Sequence, residues 1–130
     1  MTKKPINILL VEDSSEDVHM IERILKKDGM NFRLKSVDTR DGYMRSLMNS
    51  QPQIILADHS LPQFNSIEAL RILRDTQIKV PFILFTGSVS DDFATSLLRI
   101  GADGYLLKSH IEKLPSLINA LIDKYDEKRV

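Results

Sequence analysis

The sequence predicts a three-layer α/β fold in which five parallel strands alternate with five helices. Three observations predict it. Short apolar runs end in polar or charged residues: Ile6 to Val11 before Glu12-Asp13, Ile54 to Ala57 before Asp58, and Phe82 to Phe85 before Thr86. Between these runs lie stretches with helical apolar spacing, and strands separated by helices of that length pair in parallel through right-handed crossovers. The runs at 54–57 and 82–85 do not alternate, the pattern of strands covered on both faces.

The elements follow in order. The first strand, Ile6 to Val11, is apolar except for Asn7. Ser14 to Asp17 supply an N-cap and an acidic first turn. Val18, Ile21, Ile24 and Leu25 continue at helical spacing, Lys26-Lys27 suit the helix C-terminus, and Gly29 ends it. Asn31 to Val37 alternates weakly through Phe32, Leu34 and Val37, which reads as a strand covered on one face at the sheet edge. Asp38-Thr39 cap a second helix carrying Tyr43, Met44, Leu47 and Met48, with both methionines expected in the packing, and Ser50-Gln51-Pro52 stops it.

The strand ending at Asp58 comes next. Gln63 to Ser66 form a turn and cap for a third helix, marked by Ile67, Ala69, Leu70 and Leu73. Lys79-Val80-Pro81 connects to the strand ending at Thr86. Ser90-Asp91-Asp92 cap a fourth helix with Ala94, Leu97 and Leu98, closed by Gly101. Gly104 to Leu107 is the last strand and ends in Lys108. From Ile111 a fifth helix runs through Leu114, Leu117, Ile118, Leu121, Ile122 and Tyr125, with Pro115 in its first turn, where proline is tolerated. The Asp126 to Arg129 tail reads as solvated. No linker, low-complexity stretch or repeat beyond the βα unit interrupts residues 1–130, which read as one domain.

Composition narrows the function classes. Eighteen acidic and eighteen basic residues give a formal net charge of zero, so direct nucleic-acid binding is not expected. The absence of cysteine removes disulfides, thiolate nucleophiles and cysteine metal sites. His19, His59 and His110 have no metal-ligand spacing and read as surface residues, His59 as a solvent-facing loop residue beside Asp58. No segment approaches the ~18 apolar residues of a membrane span. The basic start at Thr2 to Pro5 leads into too short an apolar run for a signal peptide, so the chain reads as cytoplasmic.

The chemistry lies at the strand ends. Glu12-Asp13, Asp58, Thr86 and Lys108 each follow or close a strand, and parallel strands bring them to one sheet edge. In the flavodoxin-like order 2-1-3-4-5 the first and third strands are neighbours, and the crevice lies between them. Taken alone, Asp58 could be a loop cap, since Asp is common in turns. Three converging carboxylates call for a hard divalent cation, and Mg2+ fits that chemistry. The Lys108 ammonium and Thr86 hydroxyl suit phosphoryl oxygens. Aspartate can act as a nucleophile toward phosphorus, and phosphoryl transfer needs little beyond positioning and charge neutralisation. Gly87 after Thr86 leaves room for an incoming group.

The chain resembles the receiver domain of two-component response regulators over essentially its whole length. The matching residues are Glu12-Asp13, Asp58 with Pro62, Thr86-Gly87, Gly101 to Tyr105, and Lys108. The resemblance implies that Asp58 accepts a phosphoryl group from the phosphohistidine of a sensor histidine kinase or a phosphotransfer protein. It implies Mg2+ held by Asp13, Asp58 and the main-chain carbonyl of Ser60, with Glu12 acting directly or through water. Lys108 would pair with the phosphoryl oxygens, Thr86 would move toward them, and Tyr105 would reposition behind it. The face of the fourth helix, fifth strand and fifth helix would then control a downstream protein, and the apolar side of the fifth helix leaves room for a homodimer.

Three departures mark this chain: Glu12 where the family often has Asp, Leu61 for Met, and Ser109 for the proline that often follows the lysine with a cis peptide bond. The motifs around Asp58 and Lys108 are similar to receivers associated with sensory histidine kinases and phytochromes. Two other functions compete. One is a receiver-like interaction module that is never phosphorylated. The other is a Mg2+-dependent phosphohydrolase, disfavoured by the lack of an insertion long enough to cap a substrate. A receiver is a phosphoacceptor with slow self-dephosphorylation, not a turnover enzyme. Ser60 and Ser88, each two residues past a key side chain, are placed to influence that loss.

Overall fold

Five apolar runs become five strands. The computed structural model describes residues 4–59, 61, 64–87 and 91–128. The strands are β1 (Ile6–Val11), β2 (Phe32–Val37), β3 (Ile54–Ala57), β4 (Phe82–Thr86) and β5 (Gly104–Leu107). All neighbours pair in parallel, in the order β2-β1-β3-β4-β5. The expected order and the edge position of the second strand are both met. On β2, Arg33 and Lys35 are exposed while Phe32 and Leu34 are half-buried, and charges on an edge strand discourage pairing with other chains.

The helices are α1 (Ser15–Lys27), α2 (Arg40–Asn49), α3 (Ser66–Thr76), α4 (Asp91–Arg99) and α5 (Leu114–Lys128). Side chains alternate across the strands and so build two cores. Leu9, Val11, Ile55, Ala57, Phe82 and Leu84 face α2, α3 and α4, where they meet Tyr43, Leu47, Leu70, Leu73 and Leu97. Ile8, Leu10, Ile54, Leu56, Ile83 and Phe85 face α1 and α5, where they meet Ile21, Leu25, Leu114 and Ile118.

Local chemistry starts and stops the helices near where the sequence places those signals. Ser14, Thr39 and Asn65 are N-caps whose side chains accept from the backbone N–H of Asp17, Gly42 and Glu68. Gly29 (φ +82°) and Gly101 (φ +115°) adopt the left-handed backbone that follows α1 and α4. Three expectations change. Met44 and Met48 are exposed: Tyr43 and Leu47 take the inward face of α2, and one residue further turns a side chain by about 100° toward solvent. Leu98 is likewise exposed while Ala94 and Leu97 face the core. The chain also does not enter α5 at Ile111. A 3-10 turn spans Lys108–Lys113 first, and α5 begins at Leu114 with Pro115 in its first turn.

A second polar network ties the opposite end of the sheet. Asp103 Oδ2 accepts from the Phe82 N–H (2.8 Å) and from Arg74 Nη2 (3.3 Å). Its Oδ1 accepts from the Tyr125 hydroxyl (2.7 Å). Arg74 also donates to the Gly101 carbonyl. One carboxylate thus joins α3, β4, α5 and the loop between α4 and β5.

Candidate functional site

The strand register delivers the site residues to one edge. Val11 pairs with Ala57, and the Asp58 N–H donates to the Val11 carbonyl (3.0 Å), so Glu12 and Asp58 leave neighbouring strands side by side. Thr86 is the last residue of β4 and pairs with Leu107, which puts Lys108 next to it. Every one of these strands stops where an apolar run meets a group that needs a polar partner.

Lys108 holds the centre. Its Nζ lies 2.9 Å from Glu12 Oε2, 3.2 Å from Asp58 Oδ2 and 2.5 Å from Asp17 Oδ2. The Glu12 side chain is only 1% exposed. Its second oxygen accepts from the N–H groups of Asp13 (3.2 Å) and Ser14 (3.1 Å), which satisfies a carboxylate otherwise costly to bury. Asp58 Oδ1 accepts from the His59 N–H (2.8 Å), and the buried Thr86 hydroxyl at the end of β4 favours the ionised form of this carboxylate.

The electrostatics separate the two buried acids. Burial raises the Glu12 carboxyl above its ordinary value, and its bonds to Lys108 and Ser14 only partly offset that. Burial also opposes ionisation of Asp58, but the Thr86 hydroxyl, the Lys108 charge and the His59 N–H together outweigh it and hold the carboxyl below its usual range. Burial alone would favour neutral Lys108; its bonds to Asp17 and Glu12 reverse this and hold the ammonium above its ordinary value. Asp58 is therefore an ionised carboxylate in a half-enclosed site, the form a nucleophile requires.

Asp13 stands apart from the lysine cluster. It is exposed and lines an open cleft of about 370 Å3 with Glu12, Ser14, His19 and Asp38. Among the described residues no group of three or more acidic or histidine side chains forms a ready metal cage. The donor chemistry nevertheless fits a hard cation. Glu12, Asp17 and Asp58 gather oxygen donors around one ammonium, and Asp13 adds a carboxylate on the cleft it shares with Glu12, a local excess of negative charge.

Sequence reasoning missed Asp17 as a site residue, having used it only in the acidic first turn of α1. A signal for it was present: Asp17 stands four and eight residues before Ile21 and Leu25, both fully buried, so it lies on the inward stripe of α1. His59 also differs from expectation. Its Nδ1 is 3.0 Å from the buried Ser66 hydroxyl, and its ring lies 4.0 Å, centroid to centroid, from Phe93 on α4. It is half-buried between α3 and α4 rather than facing solvent. His19 and His110 are exposed, as expected. Tyr105 is half-buried on β5 and packs against the α2–α3–α4 core. No peptide bond is cis among the described residues, so Lys108-Ser109 is trans and runs into the 3-10 turn. Ser60, Pro62 and Ser88 lie outside the described residues.

The family model described as the response regulator receiver domain matches residues 8–120. The cell cycle transcriptional regulator CtrA of Caulobacter vibrioides is 29% identical over 118 residues, which are 90% of this chain and 50% of that protein. The DNA-binding transcriptional regulator NtrC of Proteus hauseri is 27% identical over 124 residues, 95% of this chain and 26% of that protein. This chain thus spans half or less of the length of those relatives. Among solved structures, a CheY-like receiver domain protein from Methanospirillum hungatei superposes with a TM-score of 0.83 at 22% identity, covering 96% of this chain and 99% of that one. The Mn2+-bound form of response regulator Rcp1 gives 0.74 at 26% identity, covering 89% and 93%.

Proposed function

The chain belongs to the response regulator receiver domain family, and from that premise we propose that Asp58 is the phosphoryl acceptor of a signalling switch. The observation that carries the proposal is the ionised Asp58 carboxylate set between the Thr86 hydroxyl and the Lys108 ammonium. An Asp58 oxygen forms the new P–O bond as the P–N bond of a phosphohistidine on a kinase or phosphotransfer protein breaks. Lys108 offsets charge on the phosphoryl oxygens, and Thr86 donates a hydrogen bond to them.

Glu12, Asp13, Asp58 and the Ser60 carbonyl are the residues that would hold Mg2+, which supplies charge neutralisation at the transferring group. The Mn2+-bound form of Rcp1 supports a divalent ion in this role. Tyr105, packed beside α4, transmits the change to the α4–β5–α5 face, which engages a downstream protein or a second copy of the chain. No helix among the described residues is long and apolar enough to cross a membrane, and a cytoplasmic receiver occupying residues 1–130 is the reading we adopt.

The test is direct. With Mg2+ and a small phosphodonor, the wild type gains one phosphoryl mass and Asp58→Asn gains none. Equal labelling of the two proteins overturns the proposal.

A further inference from the structure

Asp17 is neither the phosphoryl acceptor nor one of the residues that would hold Mg2+, yet it makes the shortest contact to Lys108. Its Oδ2 is 2.5 Å from Nζ, against 2.9 Å for Glu12 and 3.2 Å for Asp58. An ammonium has three N–H donors, and these three carboxylates can take all of them. The three are not alike. Glu12 and Asp58 follow adjacent strands at the sheet edge, whereas Asp17 reaches over from the first turn of α1, where its charge also suits the helix N-terminus. Asp17 is also the most solvated of the three, with 28% of its side chain exposed.

Resting on the Mg2+ part of the proposed function, we propose that Asp17 is a positioning residue for Lys108, drawing the ammonium toward α1 and leaving the Glu12 and Asp58 carboxylates available to a divalent cation. With Asn at position 17 the side chain keeps its shape but loses its charge. The ammonium, already in contact with Glu12 and Asp58, then has only these two carboxylates as counter-charge and offsets more of the charge a cation would meet there. An entering cation must displace more of the lysine's attraction, so its affinity falls. The same arrangement lets Lys108 exchange Asp58 for a phosphoryl oxygen while Asp17 still holds it.

A double-mutant cycle on the full chain tests this, with Mg2+ affinity measured by calorimetric titration. Asp17→Asn in the wild type weakens Mg2+ binding by about three- to ten-fold, the coupling expected of charged residues in contact. Asp17→Glu, which keeps the charge, stays closer to the wild type. In a Lys108→Ala background, Asp17→Asn changes the affinity by under about two-fold, because only a partly solvated charge is lost. Glu16→Gln, which removes an exposed charge from the same turn, also stays under about two-fold. Equal weakening by Asp17→Asn in both backgrounds overturns the proposal, since Asp17 would then act as a general charge and not through Lys108. No weakening in a wild type that binds Mg2+ overturns it as well and leaves the acceptor reading intact. A wild type that binds no Mg2+ at millimolar concentration overturns the metal reading and this proposal together.

Discussion

The Lys108 ammonium stands 3.2 Å from the Asp58 carboxylate, joining the end of β5 to the end of β3. The same ammonium bonds to the almost fully buried Glu12, so it supplies the counter-charge for both acids. Lys108→Ala leaves these carboxylates facing one another without it. The expected loss at neutral pH is about 1–3 kcal/mol, below the usual cost of breaking a fully buried pair because Lys108 and Asp17 keep some solvent. Added Mg2+ restores part of the loss. Denaturant unfolding with and without Mg2+ checks both statements.

Burial opposes ionisation of Asp58, and Thr86 is the first of the groups that outweigh it. The Asp58 carboxyl lies below its ordinary value in the folded protein, so its contribution to stability is present above about pH 3.9 and is lost as pH falls through the lower folded value. Thr86→Ala removes the hydroxyl that favours the ionised carboxylate and moves the titration upward, whereas Thr86→Ser retains it. Carboxyl 13C shifts followed through an acid titration read the difference; coincident curves for wild type and Thr86→Ala would remove Thr86 from the account.

The alkaline side is governed by Tyr43. Its ring is buried against Phe64, with centroids 5.2 Å apart, and its hydroxyl donates to the Ala69 carbonyl (2.7 Å). Burial raises the phenol above its ordinary value. A folded value above the unfolded one means that the contribution is complete below about pH 10 and lost as pH rises beyond it. Lys108, also raised, adds to the loss above about pH 10.4. Tyr43→Phe costs about 1 kcal/mol at neutral pH through the lost hydrogen bond but declines less steeply above pH 10. Urea unfolding at neutral and alkaline pH separates the two effects.

Asp103 is a pure stability prediction. Asp103→Ala removes the acceptor of the Phe82 N–H and one partner each of the Tyr125 hydroxyl and Arg74, which still donates to the Gly101 carbonyl, for an expected cost of about 2–4 kcal/mol. Tyr125→Phe costs about 1 kcal/mol. Phosphoryl labelling of the folded protein is unchanged in both, because the network sits at the opposite end of the strands from Asp58.

Much of the site was legible because its residues interrupt the apolar pattern. The apolar run Ile54 to Ala57 ends at the carboxylate of Asp58, and the same break in apolar character occurs at Glu12 and Lys108. The parallel topology then brings these breaks together. What escaped depends on angles that sequence spacing does not carry. The rotation of α2 sends Met44 and Met48 to solvent, and the approach of α1 aims Asp17 at Lys108. His59 acquires Ser66 and Phe93 as neighbours only once α3 and α4 have docked. The Arg74–Asp103–Tyr125 network is invisible in sequence because its members come from different elements and no motif links them.

The most direct test of the central claim is the chemical identity of the labelled residue. An acyl phosphate is reduced by borohydride to an alcohol, which converts an aspartyl phosphate to homoserine. The wild type, phosphorylated with Mg2+ and a small phosphodonor and then reduced, should carry homoserine at position 58 and nowhere else. Homoserine at another acidic residue, such as Asp13 or Asp17, or none in a protein that has gained a phosphoryl group, would contradict the account.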